Sequence, residues 1–346
     1  MTDSTEDGFE ELTDTAKDRR QSPRLGDRLA VGAGAPAPYA PERALDAGAP
    51  KVARRHGAIS SPISTKIDRV SCEAFRVPTD GPEADGTVTW DATTLVVVRA
   101  AAGDVTGLGW TYSSEASAVV VRRELAGVVE GGDVFDVPRH HEAMVRHCRN
   151  FGQPGVVASA ISALDIALWD LKARLLGLPL SELFGRCRDE VPIYGSGGFT
   201  TYDDPTTAAQ MAAWVHSIGI SMVKMKIGES WGENIGRDLE RVALARRVVG
   251  DDVELMADAN GAYSRKQAVR VGRQLADEYG VTWLEEPVSS DDLGGLHMVR
   301  DALACDVAAG EYGYDEKYFA RMAAADAVDC LQADVTRCGG YTSWLR

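Results

Sequence analysis

Six short apolar runs, each ending in polar or charged residues, alternate with amphipathic stretches through the second half of the chain. No other feature limits the fold so strongly. The runs are 191–195 (VPIYG), 221–227 (SMVKMKI), 253–260 (VELMADAN), 281–287 (VTWLEEP), 306–311 (DVAAGE) and 328–334 (VDCLQAD), with helical patterning between them, as at 239–249 and 264–279. Strand and helix in repeated alternation mean parallel βα units. Units of this size suggest a β/α barrel more than an open doubly wound sheet. The first run is followed by GSGGF, which lacks the G-x-G-x-x-G spacing of a dinucleotide site.

In a β/α barrel the C-terminal strand ends form the active-site face. Here the ends carry Lys224 and Lys226, then Asp258 with Asn260, Glu285, Glu311 and Asp334, the four acids following one another at intervals of 27, 26 and 23 residues. One acid after a strand is commonly a helix cap, Lys-x-Lys on an edge strand can be a solvated face, and Asn260 before Gly261 can be a turn. Four acids at one per βα period, opposite two lysines that share a strand face, are not explained as independent caps and point to one catalytic rim. By the same alternation Glu286 should point away from Glu285 and serve as a structural salt-bridge or capping residue.

Asp258, Glu285 and Glu311, with no His or Cys among them, make a hard oxygen site suited to Mg²⁺, with Mn²⁺ a second fit, and poor for Zn²⁺. Two lysines near a cation and near each other should have lowered pKa values, and a neutral lysine is a competent base. A base facing such a metal site implies abstraction of a proton next to a metal-bound carboxylate, with the metal stabilising the resulting ene-diolate.

The first half reads differently. Residues 66–77, 93–100 and 105–112 have strand patterning, with a turn at Ala102-Gly103-Asp104, and suggest an antiparallel sheet in a small α+β unit. From Ser159 to Leu176 the apolar residues Ile161, Leu164, Leu168, Leu171 and Leu175 give one helix face, with Ser159 as the expected N-cap and Gly177 as the stop. Residues 1–65, with the Ala/Gly/Pro-rich stretch 32–50, read as a disordered extension. The expected organisation is therefore 1–65 extension, 66–190 capping domain and 191–346 partial barrel.

Composition narrows the function classes. Lys+Arg total 37 against Asp+Glu 52, a net charge of −15, which leaves no basic footprint for nucleic acid. No apolar run approaches the roughly 18–20 residues that span a bilayer. Six cysteines (72, 148, 187, 305, 330, 338) are scattered without C-x-x-C spacing, as expected of a reduced cytoplasmic protein.

The phrases VKMKIG (223–228), MADAN (256–260), WLEEP (283–287), AGE (309–311), QADVTRCGG (332–340) and SALDIALWDLKARLLGLPLSELFG (162–185) together resemble the enolase superfamily. The closer likeness is to its mandelate racemase/muconate lactonizing enzyme group. That superfamily pairs a Lys or His base with Mg²⁺. The resemblance implies a capping domain followed by a β/α barrel. Asp258, Glu285 and Glu311 would hold Mg²⁺, Lys226 would be the base, and Lys224 would bind the substrate carboxylate and tune its neighbour. Asp334, where other subgroups carry lysine, looks like the acidic half of a mandelate racemase-type His–Asp dyad. Asn260 would contact substrate, and Arg337 would face either the substrate or an internal salt bridge. The dyad histidine should fall roughly 25 residues beyond Asp334 by the chain's own period, past Arg346. Strands seven and eight are likewise expected to be missing, which would leave six of eight barrel strands. The implied activity is dehydration of a sugar acid (aldonate or aldarate). The alternatives are a racemase or epimerase of a 2-hydroxy acid and a truncated, non-catalytic fragment. The implied partner is a small-molecule carboxylate, with homo-oligomers usual in the family. The capping-domain loops near 79–89 and 113–118, which would select the substrate, carry no decisive group.

Overall fold

A computed structural model describes residues 65–346, and the statements below concern those residues. Nearly all of the expected 1–65 extension lies outside them.

The first sheet is antiparallel, in the order β1 (Arg69–Ala84), β2 (Thr89–Ala102), β3 (Val105–Tyr112). Val96, Val98 and Ala100 alternate on β2 and are wholly buried, as period-2 patterning requires. They meet two helices, α1 (Val137–His147) and α2 (Val156–Leu176). Helix α2 lies directly on β3. A Cβ at Gly107 would collide with Ala167 O and Leu171, and one at Gly109 with Ala163 O and Ala167 N, so backbone packs against backbone. Ile161, Leu164, Leu168 and Leu171 of α2 are fully buried in this core. Gly177 ends α2 in the left-handed conformation, φ 67°, as its sequence position predicts. Ser159 is not the N-cap. That place is Gly155, and the Ser159 N–H already donates to Gly155 O at 3.0 Å. Burial of Val157 and Ala158 extends the apolar face by a turn.

The second sheet is parallel and six-stranded, in sequence order: β4 (Gly195–Gly197), β5 (Met222–Lys226), β6 (Glu254–Asp258), β7 (Val281–Glu285), β8 (Asp306–Ala309) and β9 (Cys330–Leu331). Around it run α3 (Asp204–Ala212), α4 (Ile235–Val249), α5 (Arg265–Tyr279), α6 (Leu293–Ala302), α7 (Glu316–Ala324) and the short α8 (Gly340–Trp344). The two sheets and the six βα steps make the α/β architecture expected of a capping domain followed by an incomplete barrel. The odd-numbered residues Val223, Met225, Leu255, Ala257, Val307 and Ala309, with Leu284, pack under the helices. Their strand neighbours Lys224, Met256, Trp283 and Ala308 face the other way. β4 starts later than the 191–195 run: Val191 and Ile193 are 69% and 66% exposed. Glycine decides the position, because a Cβ at Gly195 or Gly197 would run into Trp214 or Gln210.

The two halves are joined at two places. Asp165 of α2 accepts hydrogen bonds from Thr342 N (3.0 Å) and Thr342 Oγ1 (2.6 Å), and Ser162 Oγ accepts from Gly339 N (2.8 Å). At Gly340, φ is +79° and a Cβ would collide with Asp165, so only glycine fits. At a second place the tip between β1 and β2 rests on the end of β5. A Cβ at Gly86 would lie 2.7 Å from Ile227 O, and Trp231 N donates to Gly86 O at 2.8 Å.

Candidate active site

Strand register builds the site. Lys226 pairs with Asp258 across β5 and β6, and Asp258 with Glu285 across β6 and β7. Residues at one level of a parallel sheet and on one face must converge. Lys226 Nζ donates to Asp258 Oδ2 at 2.5 Å, and Lys224 Nζ to Glu285 Oε2 at 2.5 Å, with Asp258 Oδ2 a further 3.4 Å from Lys224. Asp258, Glu285 and Lys224 are buried, and Lys226 is 15% exposed at its side chain.

Burial disfavours every one of these charges, so the balance lies in the pairing. For both lysines burial works against the ammonium, but the carboxylates of Asp258 and Glu285 outweigh it and hold the pKa above the ordinary lysine value. A lowered lysine pKa is the expectation for two lysines beside each other and a bound cation; with the carboxylates paired to the lysines, the direction is upward. The carboxylates dominate, and for Lys226 the neighbouring ammonium of Lys224 is the weaker influence. Burial likewise opposes the Asp258 carboxylate, yet Lys226 and Lys224 pull its pKa down. Glu285 goes the other way, to about 7, through burial and the like charge of Asp258.

Glu286 departs from the sequence reading. It follows the last residue of β7 with φ +40°, so strand alternation no longer governs its direction. It is 1% exposed, and burial followed by the charges of Glu311, Asp258 and Glu285 raises its pKa to about 9. Its Oε1 is buried without a partner. Among the described residues it forms no salt bridge, and its carboxyl group lies beside those of Glu311, Asp258 and Glu285. Gln332 was also missed. Its Nε2 donates to Glu285 Oε2 at 2.9 Å, and its Oε1 is buried and unpartnered. The signal was its place at the end of the sixth run, two residues before Asp334.

Asn260 sits at φ +45° with its N–H on Asp258 Oδ1 (3.0 Å) and its own Oδ1 buried and unpartnered. Asn260 and Glu286 both line a cleft of about 570 Å³, which the base closes with Trp231, Tyr312 and Tyr318 and the capping half with Thr87 and Pro154. The expected loop at 79–89 is shorter in the structure, because β1 runs to Ala84 and β2 starts at Thr89; Thr87, in the turn between them, reaches the cleft. Arg337 lies between two acids: Nη1 donates to Glu311 O at 3.1 Å and stands 4.0 Å from Glu311 Oε1, while Nε is 3.6 Å from Asp334 Oδ2. It thus stands within ion-pair distance of both acids. Asp334 is held by Thr336, which donates from N (2.7 Å) and Oγ1 (2.8 Å).

Among the described residues no three His, Cys, Asp or Glu side chains are gathered closely enough to hold a metal ion as they stand. The donor chemistry nevertheless suits a hard divalent cation. All four groups are carboxyls, burial and then neighbouring carboxylates raise the pKa of Glu285 (through Asp258) and of Glu286 (through Glu311, Asp258 and Glu285), and one oxygen of Glu286 has no partner. In this arrangement the lysine ammonium groups supply the countercharge. No helix among the described residues is long and apolar enough to cross a membrane.

Comparison with known proteins relates both halves of the chain to known domains. Residues 71–185 match the mandelate racemase/muconate lactonizing enzyme N-terminal domain, and residues 206–346 match the enolase C-terminal domain-like family. The chain is 30% identical over 243 residues to the L-talarate/galactarate dehydratase of Salmonella typhimurium, covering 69% of this chain and 60% of that protein. It thus spans less than two thirds of that relative's length. A mandelate racemase/muconate lactonizing enzyme-like protein from Rubrobacter xylanophilus superposes with a TM-score of 0.78 at 49% identity, over 81% of this chain and 77% of that one. A racemase from Streptomyces coelicolor A3(2) with bound magnesium superposes with a TM-score of 0.77 at 32% identity, over 81% and 78%.

Proposed function

The chain belongs to the mandelate racemase/muconate lactonizing enzyme family of the enolase superfamily, and from that premise we propose that it removes the proton α to the carboxylate of a sugar acid and acts as a dehydratase. The observation that carries the reading is the set of three strand-end residues Lys226, Asp258 and Glu285 at one level of the sheet. In it a potential base faces carboxylates that could hold Mg²⁺. The named dehydratase activity of the Salmonella relative supports the choice of sugar acid.

Asp258, Glu285 and Glu311 are the proposed ligands, as the family pattern implies, with Glu286 beside them. A divalent cation there supplies positive charge against the negative charge that develops on a substrate carboxylate as its α-proton leaves. Lys226 keeps its own proton while Asp258 is its partner, and becomes a base once that carboxylate is otherwise engaged. Lys224, deeper and between Asp258 and Glu285, is assigned to the substrate carboxylate. Asn260 Oδ1, an acceptor without a donor, is suited to a substrate hydroxyl. Asp334 is assigned the orienting half of a second acid/base pair.

The test is incubation with Mg²⁺ and a panel of aldonic and aldaric acids, reading 2-keto-3-deoxy products and loss of α-deuterium to solvent. Product from at least one acid is expected, and a panel with neither product nor exchange would overturn the reading. The magnesium-bound racemase from Streptomyces favours a second outcome of the same proton transfer. Exchange with inversion and no dehydration would select it.

A further inference from the structure

Arg241 lies in the middle of α4, where an arginine on an amphipathic helix ordinarily faces water, yet it is 1% exposed. Its guanidinium reaches beneath the strand ends and donates only to main-chain carbonyls: Nη1 to Lys226 O at 2.8 Å, Nη2 to Gly198 O at 2.6 Å and to Phe199 O at 2.7 Å. Gly198 O also accepts the Lys226 N–H at 3.2 Å. One side chain therefore closes the junction between the segment after β4 and the last residue of β5. The largest opposing charge that acts on it is that of Asp238, one turn earlier on α4 and fully buried, which in turn accepts from Tyr263 OH at 2.8 Å and Glu229 N at 3.2 Å. Phe199 carries the same junction to the capping half, because its ring meets Trp90 edge-on at 5.6 Å.

Burying a guanidinium is expensive, and its Nε is left without a partner. A buried pair kept for stability alone is often replaced by apolar side chains at no loss. Here every donor contact ends on the backbone that carries Lys226 or the segment beside it. We propose that Arg241 is a positioning residue. By fixing the Lys226 carbonyl it sets the direction from which the Lys226 ammonium enters the site. This rests on the reading of Lys226 as the base.

The variants are Arg241→Met, which keeps length and loses all donors, and Arg241→Lys, which keeps the charge and a single donor group. Each is compared with wild type for α-deuterium exchange from an active sugar acid, for thermal midpoint, and for amide hydrogen exchange of the peptide covering 222–228. The expected result for Arg241→Met is a fall in kcat of about 10- to 100-fold with KM within roughly threefold of wild type, because a small misplacement of a reacting group acts on the chemical step. The thermal midpoint should fall in Arg241→Met, because Asp238 and three carbonyls lose their partner, so kcat is read per folded protein well below that midpoint; amide exchange should speed up most over 222–228, and Arg241→Lys should recover part of kcat. Wild-type kcat in a folded Arg241→Met, or a loss of activity that only follows a loss of folded protein, overturns the proposal. If Arg241→Met does not fold, the same split between kcat and KM in Arg241→Lys decides. If wild type exchanges no acid, the proposed function fails separately, and amide exchange decides this proposal: faster exchange confined to 222–228 and its β4 neighbours supports it, and unchanged exchange overturns it.

Discussion

Lys226 Nζ lies 2.5 Å from Asp258 Oδ2, and the two residues are Cα partners in adjacent parallel strands. The pair is thus set by register, with no loop between backbone and charge. Removing one member leaves the other buried and poorly compensated. Lys226→Met is expected to destabilise the protein by about 3 kcal/mol in the absence of divalent cation, at the low end for a broken buried pair because Lys224 stands 3.4 Å from the same oxygen. Urea unfolding with EDTA reads this directly. Magnesium should restore much of the loss, and a variant as stable as wild type in EDTA would show that the Lys226 ammonium is not the countercharge of Asp258.

The two lysines should separate in kinetics. Lys226→Ala is expected to abolish α-deuterium exchange, whereas Lys224→Ala should retain it with a raised KM, since Lys224 is assigned to binding. Single-turnover exchange measured by NMR on both variants distinguishes the roles, and the reverse pattern would exchange the assignments.

Asp165 makes stability depend on pH. Burial, partly offset by its hydrogen bonds from Thr342, raises its pKa from 3.8 to about 7. Between those values the folded state binds more proton than the unfolded state, so this residue's contribution to stability is lost as pH rises from about 4 to about 7, on the order of 4 kcal/mol at most. Asp165→Asn should flatten that part of the profile, because the amide oxygen can still accept from Thr342 N while the Thr342 hydroxyl turns to accept from Nδ2. Denaturant midpoints for both proteins across this range give the comparison; parallel profiles would remove Asp165 as the source.

The contact between β3 and α2 has no spare volume. Gly109→Ala puts a methyl group onto Ala163 O and Ala167 N, and a loss of roughly 1–3 kcal/mol is expected from the forced backbone shift. Gly127, whose Cβ would meet nothing within 4 Å, provides the control: Gly127→Ala should be neutral or slightly stabilising in the same thermal melt.

Lys224, Lys226, Asp258 and Glu285 were legible in the chain because a strand alternates with period 2 and the acids repeat once per βα unit, and both regularities survive folding intact. Glu286 was not, because one left-handed residue past a strand end cancels the alternation that seemed to dismiss it. The pairing of the lysines was not legible for a related reason. The sequence shows two like charges two residues apart, but the nearer neighbours are carboxylates on other strands. Arg241 gave no signal, since the pattern of an amphipathic helix does not say which polar residue reaches underneath a sheet. Val191 and Ile193 looked like a strand by composition, and the strand formed instead where glycines let the backbone approach Trp214.

The capping half is fastened to the sheet half both at Thr342 and at Gly86, and the second fastening bears directly on the cleft. Gly86 is the immediate neighbour of Thr87, which lines the opening together with Pro154, Trp231 and Tyr312, and Trp231 itself donates its N–H to Gly86 O. The same hydrogen bond that ties the two halves together therefore also fixes two pieces of the cleft border relative to each other.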